Sequence, residues 1–144
     1  MSVVLITGAY GFVGTNLSAY LAERGHEVWA LDVVGGQADG RPYTRVYQWE
    51  DLDKIPWNGV DAVIHLAGKA HDTSNTSDPR SYFDVNVGLT RRVVEKWVAK
   101  ESKRETAFIL FSSVKAVADQ VEGTLTEEAV PNPQTPYGQS KLEA

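Results

Sequence analysis

The chain has 144 residues, of which 42% are hydrophobic, a net charge of −5 and no cysteine. That length and composition set one domain with enough apolar side chains for a moderate core. The acidic balance argues against nucleic acid as a main partner, because phosphate-backbone binding needs clustered Lys and Arg, and the missing thiols exclude disulfides and cysteine-based metal sites.

No metal site is expected. No apolar run approaches the ~20 residues of a membrane span, so no membrane partner is expected either. Strand-like residues follow Met1 directly, without the charged segment and long apolar core of a signal peptide. The expected location is cytoplasmic.

Val3 to Thr7 reads as a buried strand, a short β-branched run closed by a glycine turn. The turn is Thr7-Gly8-Ala9-Tyr10-Gly11-Phe12-Val13-Gly14, with the spacing G-x-x-G-x-x-G instead of the commoner G-x-G-x-x-G. Strand, glycine turn and helix in succession open a dinucleotide-binding unit. A pyrophosphate needs bare backbone N–H groups at a helix N-terminus, and Gly8, Gly11 and Gly14 allow the backbone to come that close. Taken alone, three such glycines are equally a loop with a packing contact.

An amphipathic segment from Thr15 to Arg24 follows, with Phe12, Val13, Leu17, Tyr20 and Leu21 at helical spacing and Gly25 as the stop. His26 to Asp32 is the second strand. Asp32 stands at its C-terminal end, eighteen residues beyond Gly14, where a carboxylate accepts hydrogen bonds from an adenosine ribose and repels a 2′-phosphate. The register favours that reading, and NAD over NADP, against a solvated turn residue.

Val34 to Pro42 reads as a loop and Thr44 to Gln48 as a short third strand, before the acidic run Glu50-Asp51-Leu52-Asp53, a solvated helix start on its own terms. Val60 to Gly68 is a fourth apolar strand in which His65 is a core residue; His71, in the next loop, faces either solvent or substrate.

Asp78-Pro79 opens a helix running to about Lys100, with Phe83, Leu89, Val93, Val94, Trp97 and Val98 on its apolar positions and Asn86 within it. Lys100 to Glu105 is a charged helix end and loop, Thr106 to Phe111 the fifth strand, and Ser112-Ser113 its C-terminal edge. Val114 to Gln134 is a mostly polar connection with two prolines. Thr135-Pro136 then caps a last helix carrying Tyr137 and Lys141 on one face.

Strands alternating with helices imply an α/β fold, a doubly wound Rossmann parallel sheet with strand order 3-2-1-4-5. Gly8 to Gly14, Asp32, Ala67-Gly68 and Ser113 all fall at strand carboxyl ends, where such sheets bind ligands. A lysine one turn beyond a tyrosine, at a helix start, stabilises the phenolate, so Tyr137 can serve as general base toward a hydroxyl or as general acid in reverse. Ser113 would hydrogen-bond the same oxygen.

These stretches resemble the N-terminal part of an extended short-chain dehydrogenase/reductase, the NAD-dependent epimerase/dehydratase family acting on nucleotide sugars. The matching segments are Thr7 to Gly14, Leu31-Asp32, His65-Leu66-Ala67-Gly68, Asn86-Val87-Gly88-Leu89-Thr90, Phe111-Ser112-Ser113 and Pro136-Tyr137-Gly138-Gln139-Ser140-Lys141. The resemblance implies catalytic roles for Ser113, Tyr137, Lys141 and Asn86. It implies pyrophosphate contacts from the backbone of Phe12 and Val13, adenine contacts from Asp51 and Leu52, and a nicotinamide lining of Leu66, Ala67 and Gly68, with Lys69 reaching the cofactor. It also implies NAD as cofactor, a nucleotide-sugar substrate and a homodimer.

Val114-Lys115 follows Ser113 where the family's 4,6-dehydratases carry Asp-Glu, which disfavours dehydration. The expectation is therefore a nucleotide-sugar 4-epimerase, with a reductase or dehydrogenase of the same family as the alternative. Residues 1–144 read as an incomplete NAD-binding domain, cut before the later strands and the substrate domain. Such a piece alone is expected to be inactive, a non-catalytic NAD-binding module at most.

Overall fold

A computed structural model describes residues 1–33, 40–70, 78–101 and 105–144. The predicted loop of Val34–Pro42 falls partly, and His71 wholly, outside the described residues, as do positions 102–104 of the charged stretch before the fifth strand. The chain forms two compact units. The first comprises Met1–Ala67 and Val93–Phe111, the second Gly68–Arg92 and Ser112–Ala144.

The first unit is built on five parallel strands: β1 (Val3–Thr7), β2 (Glu27–Asp32), β3 (Tyr43–Gln48), β4 (Ala62–His65) and β5 (Ala107–Leu110). Their order is β3-β2-β1-β4-β5, as the alternating pattern predicts for a Rossmann sheet. The central strands β1 and β2 are apolar and buried almost throughout, because a parallel strand with covered faces has no solvent side to alternate toward. Leu5, Ile6, Val28, Leu31 and Val63 are fully buried. β3 and β5 lie at the two ends of the order, and their burial is broken accordingly.

Helix α1 (Phe12–Glu23) begins at the glycine turn, three residues earlier than the amphipathic pattern placed it. Of its five predicted apolar positions Leu17 and Leu21 pack on the core, whereas Phe12 is 86% and Tyr20 51% exposed. Helical spacing alone does not say which side of the stripe meets the sheet. Gly25 ends the helix as expected, with a φ of +79° and its N–H donating to Ala22.

The predicted long helix is helical throughout but not uniform. α2 (Arg80–Phe83) is followed by a wider π-helical stretch, Asp84–Leu89, and by α3 (Thr90–Ala99). Asp78 caps the start through Oδ1, which accepts the Arg80 N–H at 3.0 Å. Val93 is fully buried, but Val98, assigned to the same apolar face, is 71% exposed.

In the second unit α4 (Pro136–Glu143) starts as its sequence predicts, with Thr135 Oγ1 accepting the Gly138 N–H and Pro136 in the first turn. Among the described residues no helix is long and apolar enough to cross a membrane.

Candidate active site

In the first unit the glycine turn runs from the end of β1 into α1. Gly8 has a φ of +65°, and a Cβ there would lie 2.8 Å from the Ala67 amide nitrogen. The end of β4 thus passes where any side chain would stand. At Gly14 a Cβ would lie 2.6 Å from the carbonyl oxygens of both Gly8 and Ala9. These two glycines let the turn fold tightly enough for α1 to start directly behind it. α1 has no side-chain cap at Gly11 and no acidic residue in its first turn. Its leading N–H groups, those of Phe12 and Val13 among them, have no intrahelical acceptor, and their partial positive charge suits an anion.

Asp32 is not a solvated turn residue. It is 8% exposed, Oδ2 accepts the Tyr10 N–H at 2.9 Å and Oδ1 accepts the Val33 N–H at 2.7 Å. The carboxylate therefore ties the end of β2 to the glycine turn and keeps its remaining lone pairs at the sheet's carboxyl edge. The Tyr43 hydroxyl donates to the Ala9 carbonyl from β3, and the Tyr10 and Tyr43 rings pack at 5.4 Å. Asp51 and Leu52 lie in a 3₁₀ turn, Trp49–Lys54, directly after β3. Asp51 accepts from Gln48 N–H and from Lys54 Nζ, while the Leu52 side chain is buried and its carbonyl accepts from Trp57 Nε1. The Lys54 ammonium, with the Gln48 N–H, holds the Asp51 carboxyl below its usual range.

His65 is a core residue, 1% exposed, and its Nδ1 is 2.7 Å from Thr7 Oγ1. That hydroxyl also accepts the Ala67 N–H at 3.1 Å, fixing the chain as it leaves β4 toward Leu66 and Ala67.

In the second unit Asn86 is the hub. It sits in the π-helical stretch, 1% exposed. Its Oδ1 accepts the Lys69 N–H at 2.7 Å, and its Nδ2 donates to the Lys69 carbonyl at 3.1 Å and to Ser140 Oγ at 2.8 Å. One amide side chain thus clamps the Gly68-Lys69 segment and α4 together. A solvent-facing role is ruled out. A π-helical turn re-aims side chains relative to the flanking helix, and such turns recur at functional sites.

Gly68 completes this cluster: a Cβ there would lie 3.0 Å from Asn86 Oδ1 and 3.9 Å from Lys141 Nζ. Lys141 is half-buried, and removal from water lowers its ammonium pKa below the usual 10.5. The Lys69 ammonium donates to Ser81 Oγ at 2.9 Å and lies 5.1 Å from the centre of the Tyr82 ring, whose edge meets the Tyr137 ring at 6.3 Å.

Ser113 opens the 3₁₀ turn Val114–Ala116, with Oγ accepting the Lys115 N–H at 3.2 Å. A Cβ on Gly138 would overlap the Lys115 carbonyl, so this turn packs directly on the first turn of α4. The second unit therefore brings together Gly68, Lys69, Asn86, Tyr137 and Lys141, with the Ser113 turn against the same helix. The first unit brings together the glycine turn, Asp32 and Ala67.

A family model described as the NAD dependent epimerase/dehydratase family matches residues 4–144. The chain belongs to this family. GDP-6-deoxy-D-mannose reductase of Pseudomonas aeruginosa is 32% identical over 142 residues, which span 98% of this chain and 44% of that protein. UDP-glucose 4-epimerase of Halalkalibacterium halodurans is 27% identical, over 96% of this chain and 43% of that protein. Among solved structures, MoeE5 in complex with UDP-glucuronic acid and NAD is similar with a TM-score of 0.75 at 28% identity, covering 97% of this chain and 46% of that one. The chain thus spans less than half the length of these relatives.

Three contributors to the site carried no sequence signal of their own. Ser140 lies inside the Tyr137–Lys141 motif and reads only as a spacer, yet it is fully buried and receives the Asn86 amide. Thr7 reads as the last residue of a strand. Tyr82, one more aromatic on a helix, is the residue that packs against Tyr137.

Proposed function

We propose that the complete protein is an NAD-dependent nucleotide-sugar 4-epimerase. The observation that carries this reading is the mounting of Tyr137 and Lys141 on a capped helix pinned by Asn86.

The residues present fit a dinucleotide. The turn has no room for a side chain at Gly8, α1 opens uncapped, and Asp32 is held at the end of β2. Gly8, Gly11, Phe12, Val13 and Gly14 would hold the pyrophosphate through the backbone, Asp32 the adenosine ribose, and Asp51 and Leu52 the adenine. Leu66, Ala67, Gly68 and Lys69 would line the nicotinamide end. A carboxylate at position 32 selects NAD against a 2′-phosphorylated cofactor. Bound there, NAD supplies a reversible two-electron oxidant.

The acid–base work belongs to the chain itself. Tyr137, in the first turn of α4, accepts the proton of a sugar hydroxyl and later returns it. The helix N-terminus and the Lys141 ammonium both stabilise the phenolate. A half-buried ammonium serves this role better than an exposed one, since its field is less screened by water. Ser113 donates to the same substrate oxygen. Val114 and Lys115 follow Ser113 where the resemblance places Asp-Glu in the family's 4,6-dehydratases, so the reading is epimerisation and not dehydration.

A net reductase is the second reading, favoured by the 32% identity to GDP-6-deoxy-D-mannose reductase. In the complete protein, Tyr137→Phe should lose most turnover while NAD binding is kept. Undiminished turnover would refute the role of Tyr137.

A further inference from the structure

Resting on this reading, α4 must hold the Tyr137 hydroxyl at a fixed point, because general acid–base transfer needs the base within hydrogen-bond reach of the proton it moves. The helix is anchored at two places. One is Ser140, three residues beyond Tyr137, which receives the Asn86 amide and itself donates to the Tyr137 carbonyl at 2.8 Å. The other lies before Tyr137, in a connection that the sequence shows only as polar. There the Asp119 carboxylate gathers three donors. Oδ2 accepts the Gln134 N–H at 2.6 Å and the Thr135 N–H at 3.2 Å, and Oδ1 accepts the Thr135 hydroxyl at 2.6 Å.

The Thr135 hydroxyl has one proton to give. With that proton committed to Asp119, its lone pair is turned to the Gly138 N–H in the first turn of α4. The relay runs from Gly138 through Thr135 to Asp119, and Tyr137 lies inside the loop it closes. The same stretch is tied back to the Ser113 turn. Lys115 Nζ donates to the Asp119 carbonyl, Asn132 N–H donates to the Val117 carbonyl at 2.8 Å, and Gly138 packs on the Lys115 carbonyl. Asp119 therefore stands at the junction of the two segments that carry Ser113 and Tyr137.

We propose that Asp119 is a positioning residue for catalysis, setting the placement of Tyr137 relative to Ser113 through the Thr135 cap. Asp119 touches no reacting atom in this account. Its effect is on the geometry of the proton transfer and not on holding either ligand, so its loss is read in kcat and not in KM.

The test compares Asp119→Ala, Thr135→Val, the double variant and Thr135→Ser in the complete protein, with Tyr137→Phe beside them, using UDP-glucose and GDP-linked 6-deoxyhexose as probes. Asp119→Ala and Thr135→Val should each lower kcat about tenfold or more, with KM within twofold, at a temperature where thermal unfolding shows both fully folded. The double variant should be no slower than the slower single one, because both cut the same relay. Thr135→Ser, which keeps the hydroxyl, should restore kcat to within about twofold. Should Asp119→Ala fail to fold, Asp119→Asn, which keeps the shape but exchanges one acceptor oxygen for a donor, takes its place with the same expected loss of kcat. An inactive Tyr137→Phe with unchanged kcat in either the Asp119 variant or Thr135→Val overturns the positioning role of Asp119. An active Tyr137→Phe instead overturns the functional reading beneath it.

Discussion

Replacing Gly8 by alanine separates backbone strain from steric exclusion in the turn that opens the fold. A Cβ-bearing residue in the left-handed conformation that Gly8 adopts costs about 1–2 kcal/mol. The new methyl would also stand 2.8 Å from the Ala67 amide nitrogen, which is backbone and cannot rotate away. Overpacking of this kind adds about 1–3 kcal/mol. The expected loss is therefore about 2–5 kcal/mol, or about 5–15 °C in Tm for a chain of this size. Gly25 supplies the control, since it has the same sign of φ, +79°, and nothing among the described residues within 4 Å of a Cβ. Gly25→Ala should lose only the strain, about 1–2 kcal/mol. Thermal unfolding of both variants, followed by far-ultraviolet circular dichroism, measures the difference. A Gly8→Ala protein no less stable than Gly25→Ala would refute the close approach of β4 to the glycine turn.

Two further substitutions probe one candidate site residue in each of the two units. Asn86→Ala removes three hydrogen bonds made by a fully buried amide, so it should cost about 2–4 kcal/mol in urea unfolding. A loss below 1 kcal/mol would mean that the clamp is not formed in solution. Asp32→Asn keeps the shape but exchanges one acceptor oxygen for a donor and removes the charge. NAD affinity, measured by titration calorimetry, should fall about tenfold or more, and the preference for NAD over NADP should shrink with it. An unchanged preference would take Asp32 out of the ribose site.

The sheet was legible because its signals are local. Val3 to Thr7 is bounded as predicted, since a β-branched run that meets a glycine at φ +65° has no other way to end. The start of α4 was equally readable from Thr135-Pro136, where cap and proline both act within three residues. Ends that depend on pairing drifted: the β5 ladder stops at Leu110, one residue short of Phe111. What sequence could not carry is anything decided by a distant partner. The burial of Asn86 is set by Ser140, 54 positions away, and a 3.6-residue pattern does not reveal that Asp84–Leu89 winds more widely. Asp119 sits in a segment without periodicity, so its carboxylate shows only when the Thr135 cap it supports is in place.

Asp51 shows the opposite limit. Its acidic run was readable as a helix start, and the capping interaction with Gln48 and the bond to Lys54 bear that out. The adenine role that the resemblance implies needs the same carboxylate to be shared with a ligand.

The most direct test of the central claim is product and redox stoichiometry in the complete protein with NAD and UDP-hexoses. A 4-epimerase gives interconversion at C4 with no build-up of NADH in solution, abolished by Tyr137→Phe. Stoichiometric production or consumption of reduced nicotinamide, with no epimer formed, would contradict it and establish the reductase reading instead.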